Sequence, residues 1–385
     1  QKAKNPLFLA GGGINISHAN EIFKQVVEKT QVPVVTTIMG RGAISTEHPL
    51  FIGNIGMHGA YAANMAVNDC DLLFSIGTRF NDRITGKLHA FAPHAEIIHN
   101  DIDTASISRN IHVDVPIVAD AKEAITKMSD YVEPCSTDKW LTQIQSWKAE
   151  HPLTMKKRQL MSPLDIINEI NRQYDKAILV TDVGQHQMLV SQYAAITEKK
   201  KIIMSGGLGT MGYGLPAAIG ARVGSERFHE GEKPVWLIDG DGSFQMTSEE
   251  LAAAFHDHTP VKIALLNNSV YGMVRQWQTL FYGEHYSATN LMDGENTPEI
   301  VDVPDFVKLA EAYGCVGMRA FTEEEAVEAI KKANEINDRP VLIDFRVWKD
   351  AMVWPMVAAG DSNDNVTYMP GIKPLQRPKA AADNE

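Results

Sequence analysis

The sequence predicts an α/β protein built from two doubly wound parallel-sheet domains that are joined by a linker. Short apolar runs alternate with helical patterns along most of the 385 residues. Bare runs of this kind are typical of strands that helices cover on both faces of a sheet. Glycine, carboxylate and amide residues directly follow many of the runs. These residues would gather at the carboxyl ends of the strands, where open α/β sheets bind their ligands.

The first domain is predicted over residues 1–132. Its strands are expected at 7–10, 32–36, 72–76 and 96–99, and its helices at 19–29, 60–68 and 121–131. Glycine and polar residues at the strand ends form a candidate cleft of Gly11, Gly12, Met57, His58, Gly77, Arg79, Arg83, Asp101 and Asp120. Asp101 closes a strand, a position from which a carboxylate can bind ribose hydroxyls. The triplet at 11–13 is not Gly-x-Gly-x-x-Gly, so ordinary turns and surface salt links are the alternative.

A linker and a second domain follow. The stretch 133–161 lacks strand signals and is predicted to be a linker with one helix, and the second domain is predicted over 162–347. Its strands are expected at 177–181, 202–204, 235–238, 262–266 and 341–345, with helices that include 306–313 and 322–336. Residues 348–385 are expected to be an irregular, polar tail that is mobile from Arg377 onward.

Two strands of the second domain end in hard oxygen ligands. Asp241 lies in the turn Gly240–Ser243, and Asn268 follows 27 positions later. Residues 247–258 are predicted to form one crossover helix, which Thr247 and Glu250 would start as a capping box. A carboxylate, an amide oxygen and a backbone carbonyl at neighbouring strand ends suit Mg²⁺ on a diphosphate, and the glycines let backbone N–H groups approach the phosphates. A Gly-Asp-Gly turn alone would be unremarkable, but its pairing with Asn-Asn is not.

Three further segments of the second domain carry candidate site residues. Residues 183–188 open a helix after a strand, which would place amide groups toward an anion; a polar helix start is the alternative. The stretch 205–216 is rich in glycine, and Met211 within it could support an aromatic ring or be an ordinary core residue. Trp277 could line a pocket for a small apolar group or pack in the core.

Composition narrows the class of protein. The net charge is −12 and no basic stripe is found, so a nucleic-acid partner is not expected. No apolar run reaches membrane-spanning length, so no membrane partner is expected. The three cysteines form no Cys-x-x-Cys pair, which favours reduced thiols and a cytoplasmic location. The chain begins at Gln1 and reaches a predicted strand within a few residues, which indicates a start inside a longer polypeptide.

In this order, the segments resemble the catalytic subunits of the acetohydroxyacid synthase (acetolactate synthase) family of thiamine diphosphate enzymes. The resemblance covers nearly the whole chain, to about Gly360. It is carried by Gly56–Gly59, Gly77–Gly86, Gly184–Met188, Gly206–Pro216, Gly240–Phe244 and Gly272–Gln278. The last segment is close to diagnostic within the superfamily, and Arg79–Arg83 favours the FAD-containing biosynthetic branch.

The resemblance implies three domains: a pyrimidine-binding domain, an FAD-binding middle domain and a diphosphate-binding domain. This chain would supply the second and third. The N-terminal pyrimidine-binding domain, with the glutamate that protonates the aminopyrimidine, is expected to be absent, so the chain alone is expected to be inactive. The family also implies an oligomer, either a homodimer or a larger assembly, and is compatible with a regulatory small subunit.

The implied cofactors are thiamine diphosphate, Mg²⁺ and FAD, of which FAD would be structural. By resemblance, Mg²⁺ would be bound by Asp241, Asn268 and the carbonyl of Val270. Thiamine diphosphate would be bound by Val183, Gly184, Gln185, His186, Gly240, Gly242 and Ser243. Met211 would hold it in a bent shape, and the carbonyl of Gly209 would accept from its 4′-amine. FAD would be bound by the nine residues of the first-domain cleft, Gly11, Gly12, Met57, His58, Gly77, Arg79, Arg83, Asp101 and Asp120.

The implied activity is that of a transferase of branched-chain amino acid biosynthesis. Pyruvate would lose CO2 and join a second 2-keto acid, pyruvate or 2-ketobutyrate, to give acetolactate or acetohydroxybutyrate. Arg83 would bind the carboxylate of that acid, and Trp277 with Met273 would favour the extra methyl group. The alternatives are another thiamine diphosphate carboligase or oxidase, an inactive cofactor-binding fragment and, third, an NAD-binding dehydrogenase, against which the pairing of Asp241 with Asn268 argues.

Overall fold

The computed structural model describes residues 2–155, 161–174, 176–228, 233–292 and 303–368. Within them lie two six-stranded sheets, both entirely parallel, which confirms the predicted fold class. A short two-stranded antiparallel ribbon near residue 360 completes the strands. In these parts of the chain, no helix combines the length and the apolar character that crossing a membrane requires.

The first sheet has the strand order β3-β2-β1-β4-β5-β6. Its strands are β1 Pro6–Ala10, β2 Val34–Thr36, β3 Phe51–Asn54, β4 Leu72–Ile76, β5 Glu96–Asp101 and β6 Val115–Val118. The accompanying helices are α1 Gly12–Ile16, α2 Asn20–Thr30, α3 Tyr61–Asp69, α4 Asp82–Thr85, α5 Ala121–Ser129 and α6 Asp138–Glu150. The order reverses between β1 and β4, and the crevice of a doubly wound sheet opens at such a point.

Apolar side chains cover both faces of the first sheet. One cluster holds Leu7, Leu9 and Leu73, and the other holds Phe8, Phe23 and Ile76. This alternation follows from the period of two along a strand, which sends successive side chains to opposite faces. Helix α6, predicted within the linker, packs its buried tryptophans into the first cluster.

The second sheet has the strand order β11-β12-β10-β9-β7-β8. Its strands are β7 Ala177–Thr181, β8 Lys200–Met204, β9 Val235–Gly240, β10 Val261–Asn267, β11 Val316–Ala320 and β12 Val341–Arg346. Its helices are α7 Pro163–Gln173, α8 Gln185–Tyr193, α9 Gly214–Arg227, α10 Asp241–Phe244, α11 Leu251–His256, α12 Gly272–Phe281, α13 Phe306–Ala312 and α14 Glu323–Glu335. The order reverses between β7 and β9, so the loops after these two strands diverge around a crevice.

Two sequence-based expectations about this domain are wrong. The helix predicted over 247–258 is divided into a 3-10 turn at Ser248–Glu250 and α11, and Thr247 makes no capping bond. Its hydroxyl donates instead to the carbonyl of Gly212, at 2.9 Å. A capping box is a local pattern, and here a tertiary partner takes the hydroxyl.

The segment after residue 347 is also different from the expected irregular, polar tail. It forms the ribbon of β13 Met356–Val357 and β14 Val366–Thr367, and Val353 and Trp354 in it are buried. The strap, our name for residues 351–363, crosses from the second domain to the first. The mobility predicted from Arg377 onward concerns residues outside those that the structure describes.

Hydrogen bonds to both domains hold the strap. In the second domain the amide of Gln276 pairs with both backbone groups of Val353, at 2.8 and 3.0 Å. In the first domain Val357 N donates to Met57 O at 2.8 Å. The strap therefore connects α12 of the second domain to the loop after β3 of the first.

Candidate functional site

A cavity of about 80 Å³ lies at the switch point of the second sheet. It is lined by Pro163, Val183, Gly184, Gln185, His186, Met211, Gly240, Asp241, Gly242, Ser243, Leu266, Asn268, Val270, Tyr271, Gly272, Met273 and Val274. The structure thus gathers around one cavity every residue predicted for Mg²⁺ and for thiamine diphosphate binding except Gly209. Met273, which was predicted for the substrate pocket, also lines it.

Asp241 begins α10 directly after β9, and its side chain is fully buried. Its Oδ2 atom has no hydrogen-bond partner among the described residues. Burial raises the pKa of this carboxyl to about 7, because the charged form loses its hydration. A buried carboxylate oxygen without a donor is unstable unless a ligand completes its shell, and a cation does so.

The turn after β10 presents the other two predicted metal ligands. Asn268 Oδ1 accepts from Val270 N at 3.1 Å, and Ser269 between them has a φ of +59°. A left-handed residue is uncommon outside glycine and reverses the chain within one position. This turn places Asn268 and Val270 on the wall that also holds Asp241.

The loop after β7 also lines the cavity. His186 is buried, its Nε2 atom has no hydrogen-bond partner among the described residues, and burial lowers its pKa to about 4. The amide of Gln185 donates to Gln276 Oε1 at 3.2 Å and to Ala351 O at 2.9 Å. Gln185 therefore lines the cavity while its amide group holds the start of the strap.

Two features of this edge suit a metal-bound diphosphate. A Cβ on Gly242 would lie 2.6 Å from the ring of Tyr271, so only glycine allows the backbone to run this close. In the described parts of the chain, no group of three or more His, Cys, Asp or Glu side chains is placed to hold a metal ion. A cation at Asp241 would therefore need amide, carbonyl and ligand oxygens, which is the donor set that Mg²⁺ accepts.

Sequence reasoning did not single out five residues that line the cavity, Pro163, Leu266, Tyr271, Gly272 and Val274, nor Asp182, which holds the adjoining loop. Asp182 follows β7 as Asp241 follows β9, and its carboxylate accepts from the backbone N–H groups of Val183, Gly212 and Gly214. The signal was present, since a carboxylate directly after a buried strand is the feature that pointed to Asp241. Its neighbour Val183 was noticed only as part of a helix start.

A larger cleft, of about 860 Å³, lies between the two domains. Its lining includes the predicted residues Met57, His58, Arg83, Val183, Gly209, Met273 and Trp277. Val183 and Met273 line both cavities, so the cleft and the smaller cavity share a wall. The residues predicted for substrate binding thus meet beside the candidate cofactor cavity.

Three cleft residues show how its wall is built. The Arg83 side chain is 63% exposed, and its nearest carboxylate is Asp82 at 3.7 Å, so its guanidinium is accessible from the cleft. Burial lowers the pKa of His58 to about 4. Trp277 packs edge-on against Phe281, with ring centroids 5.4 Å apart, so it forms an apolar wall.

The remaining residues predicted for FAD do not line the interdomain cleft in the described structure. They lie along the carboxyl edge of the first sheet: Gly11, Gly12, Gly77, Arg79, Asp101 and Asp120. Gly11 and Gly77 are in such close contact that a Cβ on Gly11 would lie 2.1 Å from Gly77 O. The two carboxylates have backbone partners, since Asp101 accepts from Asp103 N and Asp120 caps α5.

Comparison with known proteins assigns the class of this fold and site. The model for the central domain of thiamine pyrophosphate enzymes matches residues 1–128. The model for the C-terminal thiamine pyrophosphate-binding domain of these enzymes matches residues 182–345. The chain therefore belongs to the thiamine pyrophosphate (thiamine diphosphate) enzymes.

Curated relatives show which enzymes of this class the chain resembles in sequence. The chain is 45% identical to an acetolactate synthase of Mycobacterium leprae, over 97% of this chain and 60% of that protein. It is 44% identical to the acetolactate synthase large subunit of Corynebacterium glutamicum, over 97% and 59%. It is 40% identical to that of Porphyra purpurea, over 99% and 63%. The chain thus spans about three fifths of the length of these relatives.

Proposed function

We propose that the chain is the cofactor-binding part of an acetolactate synthase. The observation that carries this proposal is the convergence of Asp241, Asn268 and Val270 on one cavity at the switch point of the second sheet. The names of the relatives support the choice among thiamine diphosphate enzymes. The reaction would join pyruvate, with loss of CO2, to pyruvate or 2-ketobutyrate.

Asp241, Asn268 and the carbonyl of Val270 would hold Mg²⁺ on the diphosphate of the cofactor. Backbone groups of Gly184, Gly240, Gly242 and Ser243 would bind its phosphate oxygens, and His186 offers its free ring nitrogen to the same cavity. Bound thiamine diphosphate supplies the carbon nucleophile that the decarboxylation and the carboligation require. The protein provides position, charge and an environment with little water.

Met211 and Gly209 would position the cofactor rings. Met211 lines the smaller cavity and Gly209 the interdomain cleft, so the loop that carries them runs from one cavity to the other. The second keto acid would lie in the cleft, with its carboxylate on Arg83 and its alkyl group against Trp277 and Met273. A planar guanidinium binds a carboxylate in two-point geometry, and an apolar wall distinguishes an ethyl from a methyl group.

FAD would bind along the carboxyl edge of the first sheet and extend into the cleft at Met57, His58 and Arg83. The strand order of this sheet is the one that binds dinucleotides at its switch point. The contact of Gly11 with Gly77 lies at that point. The proposed reaction has no net redox change, so FAD would be structural. Yellow protein that releases flavin on denaturation would support this site, and colourless protein from flavin-replete cells would contradict it.

The proposed assembly is a cytoplasmic homo-oligomer, a homodimer or larger. Relatives named as large subunits imply a small partner for those proteins, and we extend a regulatory small subunit to this chain. Sedimentation with and without the small subunit of a relative tests both statements. A monomer that does not bind the small subunit would contradict both statements.

The activity is tested with this chain alone and with a fusion protein. The fusion adds the segment of a relative that this chain does not match. Pyruvate, Mg²⁺ and thiamine diphosphate are supplied, and acetolactate and CO2 are measured. Acetolactate from the fusion supports the proposal. Acetate from pyruvate would favour an oxidase, tartronate semialdehyde from a parallel assay with glyoxylate in place of pyruvate would favour glyoxylate carboligase, and cofactor binding without turnover would favour a cofactor-binding fragment.

A further inference from the structure

The peptide groups of Gly212 are held from two sides. Its N–H donates to Asp182 Oδ1 at 3.0 Å, and its carbonyl accepts from Thr247 Oγ1 at 2.9 Å. Two residues on, Gly214 N donates to Asp182 Oδ2 at 2.6 Å. Three elements are thereby joined at one point: the end of β7, the start of α9 and the turn before α11.

This clamp, our name for Asp182 and Thr247 on Gly212, lies directly beside Met211. On the other side of Met211 the loop is open, since residues 207–210 are exposed and Leu208 is 95% exposed. Gly212 has a φ of +89°, a conformation that other residues rarely adopt. Met211 is therefore a half-buried residue between the clamp and this exposed stretch, in which Thr210 N donates to Ser205 Oγ at 3.2 Å.

The clamp uses a buried charged group, which closing the loop does not by itself require. Asp182 is fully buried, and burial raises the pKa of its carboxyl. A buried carboxylate is costly, and a neutral side chain could close the same loop at lower cost. Only a carboxylate, however, can accept from the N–H groups of residues 183, 212 and 214 without presenting a donor to them. The arrangement favours accurate placement of the loop over stability.

We propose that Asp182 and Thr247 are positioning residues that fix Met211 at the ring-bearing part of the cofactor and not at its diphosphate. The inference rests on the proposed function, since it assumes that thiamine diphosphate occupies the cavity. The diphosphate would be bound by Asp241, Asn268 and the loop at 184–186, whereas in the described structure the clamp side chains bind the N–H groups of residues 183, 212 and 214 and the carbonyl of Gly212. A hydrogen bond does join the His186 ring to the backbone of Asp182, and a change of the Asp182 side chain keeps that backbone group in place. Loss of the clamp should therefore weaken the binding of the rings and leave the binding of the diphosphate intact.

The test compares two ligands on the full chain by calorimetry: thiamine diphosphate with Mg²⁺, and inorganic pyrophosphate with Mg²⁺. The variants are Asp182→Asn, which turns one acceptor into a donor, and Thr247→Val, which removes the hydroxyl at constant shape. Thr247→Ser keeps the hydroxyl and should restore binding. Asp165→Asn is the matched control, because Asp165 is another backbone-bound carboxylate of this domain, in the capping box of α7.

We expect Asp182→Asn to weaken the binding of thiamine diphosphate about tenfold or more, because a charged hydrogen bond is lost. Thr247→Val should weaken it about fivefold, because a neutral hydrogen bond is lost. Affinity for pyrophosphate should stay within about twofold, and the control should change neither. Equal weakening of the affinity for both ligands, or no change in either affinity, would overturn the proposed role of the clamp. If Asp182→Asn does not fold, the Thr247→Val and Thr247→Ser pair decides. A wild-type chain that binds neither ligand overturns the proposed function instead, and the clamp falls with it.

Discussion

The two sheets have the same architecture but differ in what their carboxyl edges hold. At the edge of the second sheet, Asp241 Oδ2 is buried with no hydrogen-bond partner among the described residues. At the edge of the first, Asp101 accepts from Asp103 N at 2.9 Å, and Asp120 accepts from Lys122 N at 2.8 Å. Both edges carry carboxylates at strand ends, so they differ in whether those carboxylates have hydrogen-bond partners and not in the presence of carboxylates.

This difference teaches where a ligand is needed. A carboxylate that binds its own backbone is complete, and its place at a strand end is explained by the turn or cap that it forms. A buried carboxylate with a free oxygen is incomplete until a cation or donor arrives. Position at a strand end is therefore a weaker sign of a ligand site than an unpartnered atom at the same position.

The largest expected effect comes from removing one carboxylate from each edge. Asp241→Ala should weaken Mg²⁺-dependent binding of thiamine diphosphate by more than about 100-fold, because even outer-shell partners of a metal are worth 10- to 100-fold. Asp101→Ala is the matched control and should leave this affinity unchanged. Calorimetry with and without Mg²⁺ measures both. Unchanged affinity in Asp241→Ala would remove the metal site from the second edge.

The next effect concerns the cleft where the two domains meet. Trp277→Leu should shift the product ratio towards acetolactate when pyruvate and 2-ketobutyrate compete, because a smaller wall binds the ethyl group less well. One methylene in an apolar pocket is worth about 1–3 kcal/mol, which limits the shift to roughly 5- to 150-fold. Chromatography of products from the fusion protein measures it. An unaltered ratio would take Trp277 out of the selectivity wall.

A smaller effect compares one histidine from each region. Burial lowers the pKa of His58 and of His186 to about 4. The unfolded chain therefore binds more protons than the folded chain between about pH 4 and 6.5, and the free energy of unfolding falls as pH drops through this window. His58→Gln and His186→Gln should each reduce the slope by up to about 1.4 kcal/mol per pH unit. Denaturant titrations from pH 4.5 to 8 measure it; between pH 7 and 8 all three proteins should have equal slopes.

The smallest effect tests whether a first-edge carboxylate is only structural. Asp120→Ala should lower the free energy of unfolding by about 1 kcal/mol, because α5 loses its N-cap. Asp120→Asn should be nearly neutral, since asparagine caps as well as aspartate. Chemical denaturation measures both variants, with released flavin recorded beside them. Flavin lost from Asp120→Asn at unchanged stability would show that Asp120 has a ligand after all, and would weaken the contrast between the edges.

Most of the fold could be predicted from the sequence, because buried parallel strands are bare apolar runs. Three strands of the two sheets were missed. β3 at Phe51–Asn54 contains a glycine. In β6 at Val115–Val118 a proline interrupts the apolar run, and three of its four residues are exposed while the other is half-buried. β11 at Val316–Ala320 was missed for a similar reason, since Gly317 and Arg319 break its apolar pattern. All three are edge strands; β6 and β11 are only partly covered, so their composition is less marked, whereas β3 is buried and was missed because of its glycine.

The candidate metal cavity was predictable because its ligands are sequence neighbours of strong strands. The clamp was not, since Thr247 and Gly212 are distant in sequence and nothing local pairs them. The same limit applies to Gln276, whose amide holds the strap. Side chains that bind backbone far along the chain leave no periodic or spacing signal, so only coordinates reveal them.

The strap has a mechanical consequence. Val353 of the strap is fixed on Gln276 in the second domain and Val357 on Met57 in the first, and both anchors lie in or beside the walls of the cleft. A tether of constant length with two fixed ends limits how far the walls can separate. The aperture offered to an incoming molecule is thus limited by a segment that is anchored in both cores, through Val353 in the second domain and Val357 in the first, and lengthening it by a residue between these anchors would widen the entrance without altering a wall side chain.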